Sequence, residues 1–161
     1  MTARGISHTR ELLRQGELSA VEHTRAVLRA VRERDTLDAY VAVAGEEALR
    51  AAERADAHIR ERGADAWQAM PLLGVTVCVK DLLQTRDLPT GRGSLLPNDR
   101  PRKDAPAVAR LRAAGAVVVG KTATSEYGWS ASTVSRVAPP PPQPNKPPPG
   151  PGRHQGRPRP P

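Results

Sequence analysis

The sequence predicts an α/β fold. The first observation is a pair of Val-rich runs, Val75-Thr76-Val77-Cys78-Val79 and Ala116-Val117-Val118-Val119, each short and apolar enough to be a buried strand. The second is what lies between them. A Gly/Pro-rich stretch over 84–103 reads as a loop, and Asp104, Pro106 and Gly115 bracket a short helix with Val108 and Leu111 facing inward. Strand, loop, helix, strand is a βαβ-type unit, most simply with parallel strands. The third is a set of amphipathic helices in the first sixty residues.

Taken in order, Ser7 is expected to cap a helix from His8 to Gln15 that Gly16 stops. Ser19 and Glu22 have capping-box spacing and open a longer helix. Val21, Thr24, Leu28 and Val31 share one face of it, with Arg25, Arg29 and Arg32 off that face. Leu37 to Ala44 reads as a strand around Tyr40, Val41 and Val43. Glu46 to Glu61, rich in Ala, Glu and Arg, reads as a helix ended by Gly63. The strand at Ala116–Val119 is expected to end in a turn at Gly120-Lys121-Thr122. The body is assigned to residues 1–138. Residues 139–161 hold 12 prolines and no aliphatic or aromatic side chain, so they cannot bury apolar surface; they are expected to be a disordered tail with polyproline II character.

Composition narrows the function classes. The chain has 161 residues and a formal charge of +8, and residues 138–161 contribute half of it through Lys146, Arg153, Arg157 and Arg159. The body is therefore ordinary in charge, and no nucleic-acid partner is expected, because the basic tail offers no aromatic residue for base stacking. With no Phe, the core should be aliphatic. Cys78 is the sole cysteine, which excludes an intramolecular disulfide and a zinc site of the usual kind; it is expected in the core. No apolar run approaches the ~20 residues of a membrane helix, and the N-terminus lacks the apolar core of a signal peptide, so a cytoplasmic protein is expected.

Three motifs bear on chemistry. Gly115-Ala116-Val117-Val118-Val119-Gly120-Lys121-Thr122 matches the phosphate-loop pattern letter for letter. In a working phosphate loop the residues between the glycines form a nest after a strand and a helix follows the lysine. Here they are the strand itself and the helix comes before, so the match is read as accidental. Lys80 closes a Val-rich strand and sits next to Asp81. Such a lysine either snorkels to the surface or, if desolvated, serves as a base. Ser130, Ser132, Thr133 and Ser135 form a hydroxyl cluster, an ordinary polar loop unless it walls a site. His8, His23 and His58 all fall on helices, in solvated or packing roles.

In this order and spacing, residues 17–137 resemble the N-terminal part of the amidase signature family. The segments that carry the resemblance are Glu17-Leu18-Ser19-Ala20, Leu37-Asp38-Ala39-Tyr40-Val41, Pro71 through Asp81, Leu88-Pro89-Thr90 with Gly93-Ser94, Asp104 through Val108, Gly115-Ala116 with Gly120-Lys121-Thr122, and Ser125 through Trp129. The resemblance implies a mixed twisted sheet flanked by helices, of which this stretch is about the first third. It implies hydrolysis of an amide bond in a small-molecule substrate by a Ser–cis-Ser–Lys triad, with no metal or organic cofactor. Lys80 would be the triad lysine, held neutral by burial and neighbouring donors so that it accepts a proton through the bridging serine. The family's Gly-Gly-Ser-Ser-Gly-Gly-type segment, which bears the serines, does not occur in these 161 residues. The chain is accordingly expected to be a truncated, inactive form, with frame-shifted translation of a GC-rich gene from about residue 139. Tyr127-Gly128-Trp129 leans toward a general amidase; the alternatives are the A subunit of a tRNA-dependent amidotransferase and a non-catalytic protein binding through its proline-rich tail. Oligomeric state is left open.

Overall fold

The computed structural model describes residues 5–96 and 100–130. The proline-rich segment beyond 138 lies outside the described residues. Among the described residues five α-helices and three strands follow one another: α1 (Ile6–Gln15), α2 (Ala20–Arg34), β1 (Tyr40–Val43), α3 (Gly45–Arg62), α4 (Ala66–Ala69), β2 (Thr76–Lys80), α5 (Pro106–Ala113) and β3 (Val117–Thr122). The sheet order is β1-β3-β2, with β2 and β3 parallel and β1 antiparallel to β3. The expected βαβ unit and the mixed sheet are thus both present.

The helix signals act as read, with shifts at the ends. α1 begins at Ile6 after Gly5, not after Ser7, and makes no side-chain cap; Gly16 ends it in the left-handed conformation at φ 72°. The Ser19–Glu22 capping box forms in full: the Ser19 hydroxyl accepts from the Glu22 amide, and the Glu22 carboxylate accepts from the Ser19 amide. A distant group completes this cap. Asp56 on α3 accepts from the amides of Ala20 (2.7 Å) and Val21 (3.1 Å), two donors that the first turn of α2 would otherwise leave unpaired. α3 can lie this close because its buried stripe is Ala48, Ala52 and Ala55.

Two expected boundaries move for identifiable reasons. β1 starts at Tyr40 instead of Leu37, because the Asp35 carboxylate accepts from the amides of Ala39 and Tyr40 and holds residues 35–39 in a turn. Asp104 does not cap α5; Ala105 occupies that position, and the Asp104 carboxylate instead accepts from the Arg86 amide at 2.8 Å and meets Arg112 Nε at 3.1 Å.

The core is aliphatic, as the composition requires, and centres on Leu13, Leu28, Leu73, Val75, Val79, Leu88, Val108 and Val117–Val119, with Trp67 at its margin. Each fully buried Val or Leu contributes about 1.5–3 kcal/mol relative to an exposed one. β3 is the central strand and is buried along most of its length. Gly120 permits this packing: a Cβ there would meet the Ala42 carbonyl oxygen at 2.5 Å and the Tyr40 ring at 3.1 Å. Cys78 is not in the core. It is exposed, and Tyr40 Oη lies 3.0 Å from its sulfur. Burial and the Cys78 contact push the Tyr40 phenol well above its ordinary value. No helix among the described residues is long and apolar enough to cross a membrane.

Candidate active site

The C-terminal ends of the parallel strands β2 and β3 lie side by side, with Lys80 opposite Thr122 in the register. Ends of parallel strands are where α/β proteins gather their chemistry, because the loops that leave them converge there. Lys80 is the last residue of β2 and its side chain is exposed, as is that of Cys78 two residues earlier. Lys80 is therefore solvent-exposed at the strand end, one of the two readings open for it from the sequence.

The buried lysine at this end of the sheet is Lys121. Its side chain is wholly inaccessible. Its Nζ donates to the Leu83 carbonyl (2.9 Å) and the Thr90 hydroxyl (2.9 Å) and stands 3.2 Å from Asp81 Oδ1. Burial pulls its pKa below the usual lysine value, and Asp81 pulls in the opposite direction. Asp81, itself buried, also accepts from the Gly91 amide, while its backbone amide donates to the Thr122 carbonyl and its carbonyl accepts from the Arg92 amide. One ion pair thereby ties the end of β2, the loop after it and β3 together directly behind Lys80. Lys121 does not lie in the expected turn. β3 continues through Thr122, so the residues of the phosphate-loop pattern enter the sheet ladder and the lysine turns inward. That arrangement leaves no nest of amides for a phosphate. The available signal was a lysine following four Val/Gly positions of a buried strand, with an acid just past the end of its parallel partner.

The loop after β2 is then clamped to the segment after β3. Ser94 Oγ donates to Glu126 Oε1 at 2.8 Å, and the Tyr127 amide donates to the Arg92 carbonyl at 2.8 Å. Gly93, at φ 65°, comes so close that a Cβ would lie 2.6 Å from the Thr124 carbonyl oxygen. Ser125 Oγ donates to the Ser130 carbonyl and accepts from the Ser130 amide, closing a short turn. Ser125, Glu126, Tyr127, Trp129 and Ser130 line a shallow cavity of about 370 Å3, with Trp129 almost fully exposed. Of the expected hydroxyl cluster only Ser130 is among the described residues; Ser132, Thr133 and Ser135 lie outside them. His23 is half-buried, with Nε2 3.0 Å from Thr76 Oγ1, and burial holds its pKa below the usual histidine value. Among the described residues no group of three His, Cys, Asp or Glu side chains could hold a metal.

Comparison with known proteins places this architecture. The A subunit of glutamyl-tRNA(Gln) amidotransferase from Rhodopirellula baltica is 44% identical over 128 residues, which is 76% of this chain and 25% of that protein. The protein of the same name from Geobacter sulfurreducens is 43% identical over 74% of this chain and 24% of its own length. The chain thus spans about a quarter of the length of the curated relatives it matches. Among solved structures, the peptide amidase of Stenotrophomonas maltophilia superposes with a TM-score of 0.70 at 30% identity, over 78% of this chain and 26% of that one. A 6-aminohexanoate cyclic dimer hydrolase superposes with the same TM-score at 26% identity, over 86% of this chain and 27% of that one. The family model described as Amidase matches residues 22–152. With the mixed sheet, the strand bearing Lys80 and that match in place, the chain belongs to the amidase signature family.

Proposed function

We propose that this chain carries the lysine-bearing part of an amide-cleaving domain of the kind found in the A subunit of glutamyl-tRNA(Gln) amidotransferase, with Lys80 as the triad base. The observation that supports this is the identity of 40–44% over about three-quarters of the chain to proteins of that name, against 30% to the peptide amidase. It favours the amidotransferase reading over the general amidase toward which Tyr127-Gly128-Trp129 leaned. The substrate would be a small-molecule amide, the partners the other subunits that the word subunit implies, and the compartment the cytoplasm. In the chemistry proposed, Lys80 takes a proton relayed from the nucleophilic serine, and the Asp81–Lys121 pair fixes the strand end from which it projects. By itself the chain supplies the base without the Gly-Gly-Ser-Ser-Gly-Gly-type segment, so we propose that it is inactive alone.

A chimera tests this reading. Residues 22–130 replace their counterparts in the Rhodopirellula baltica protein, and the assembled enzyme is assayed for amidation of glutamyl-tRNA(Gln). Activity that Lys80→Met abolishes is the expected result. A chimera that folds and keeps its activity after Lys80→Met refutes the assignment. Frame-shifted translation beyond residue 138 is part of the same proposal. It fails if no other frame of the coding DNA past codon 138 encodes a Gly/Ser-rich continuation.

A further inference from the structure

At the end of the sheet away from Lys80, where β2 and β3 begin, a cleft of about 330 Å3 opens between α3 and the start of β3. Its floor is apolar and includes Ala55, Leu73 and Ala116. Its walls carry Arg54 and His58 from α3, Arg86 from the loop after β2 and Arg112 from α5. Residues 54 and 58 are one helical turn apart and so present side by side. The alanine stripe that seats α3 on the sheet brings this pair to the cleft's edge.

The charges there are unequally matched. Arg112 is mostly covered and meets Asp87 at 3.3 Å and Asp104 at 3.1 Å. Asp104 also accepts from the Arg86 amide, and the Arg86 side chain reaches Asp87 at 3.7 Å. Both carboxylates are thus engaged from within. Arg54 and His58, by contrast, have no hydrogen bond or ion pair among the described residues. Three guanidinium groups against two carboxylates leave a positive charge uncompensated, before His58 is counted.

We propose that this cleft binds a phosphate group. Its cationic groups come from three separate elements and surround a volume of limited size. A tetrahedral dianion can accept from several directions at once, whereas a planar monoanionic carboxylate is satisfied by one guanidinium fork. The apolar floor lowers the local dielectric and strengthens each contact. The cleft is concave and bounded, which suits one group on a small molecule better than the continuous groove that tracks a nucleic-acid backbone. None of its residues belongs to the Lys80 site, so this proposal and the amidase reading stand or fall separately.

The test is a titration of the 161-residue chain at constant ionic strength, followed by calorimetry and by the His58 and arginine side-chain signals in NMR. Inorganic phosphate and phenyl phosphate are the probes, and their relative affinity tells free phosphate from a phosphomonoester lying on the apolar floor. Saturable binding is expected, weaker with acetate. Arg54→Met should weaken it about tenfold, the effect of losing one charge-assisted contact. His58→Gln should weaken it less, and Arg29→Met, on the outer face of α2, should leave it unchanged. Circular dichroism establishes that each variant folds; Arg54 is exposed, and His58→Gln provides the second reading if Arg54→Met does not fold. Failure of both probes to saturate, or an equal loss with Arg29→Met, overturns the proposal.

Discussion

Replacing Lys121 with Met removes an ammonium that no solvent reaches, while keeping nearly the same length of apolar stem. At 3.2 Å from Asp81 Oδ1 and an effective dielectric constant of about 20, the Coulomb attraction is about 5 kcal/mol, and desolvation of both groups offsets much of it. The mutation does not simply return that balance to zero. Asp81 stays buried with the Gly91 amide as its remaining side-chain partner, the Thr90 hydroxyl loses its donor, and the Leu83 carbonyl is left with the Thr85 hydroxyl alone. Breaking a buried pair in this way costs about 3–5 kcal/mol, a large share of the about 5–15 kcal/mol that holds a typical domain together. Equilibrium urea unfolding measures it: the midpoint should fall with little change in slope. Adding Asp81→Asn to Lys121→Met should cost far less than Asp81→Asn alone, since the charge it removes is already unpaired. A loss below about 1 kcal/mol for Lys121→Met, or strict additivity in the double mutant, would show that the pair does not hold the loop and the two strands together.

Gly120→Ala should destabilise by about 1–3 kcal/mol and increase amide exchange along β1, because the new methyl meets the Ala42 carbonyl and β1 must move; unchanged exchange at residues 40–43 would contradict the packing. Ser19→Ala should cost about 1 kcal/mol in the same unfolding assay, through loss of the hydroxyl that accepts from the Glu22 amide. His23 is held below its usual value by burial, so on acidification the unfolded chain takes up its proton first. Stability should accordingly fall as the pH drops through about 6.5 toward the lower folded value, and His23→Gln should flatten that part of the profile; an identical profile in the variant would assign the acid sensitivity elsewhere.

Local signals were legible where neighbours in sequence make the structure. The Ser19–Glu22 box, the stop at Gly16 and the Val-rich strands all depend on groups within a few residues of one another, and each appears in the fold. The order of family-like segments likewise pointed to the family to which the chain belongs. Misplaced features share a different cause. Asp104 looks like a cap from its own neighbours, but its carboxylate is drawn to Arg86 and Arg112. Cys78 reads as a core residue from its Val flanks, yet it is exposed.

The two lysines at the strand ends divide what the sequence by itself determined from what only the tertiary structure decided. Periodicity and the Val-rich run were enough to put Lys80 at the end of a strand in an α/β chain. Neither could say which lysine is buried, because burial depends on what lies across the sheet. β3 runs between two other strands, its Lys121 has Asp81 and Thr90 within reach, and an ammonium enters a core only where such acceptors already wait. Those acceptors are far from Lys121 in sequence, Thr90 by 31 residues and Asp81 by more, and they meet it only when β2 and β3 pair in parallel.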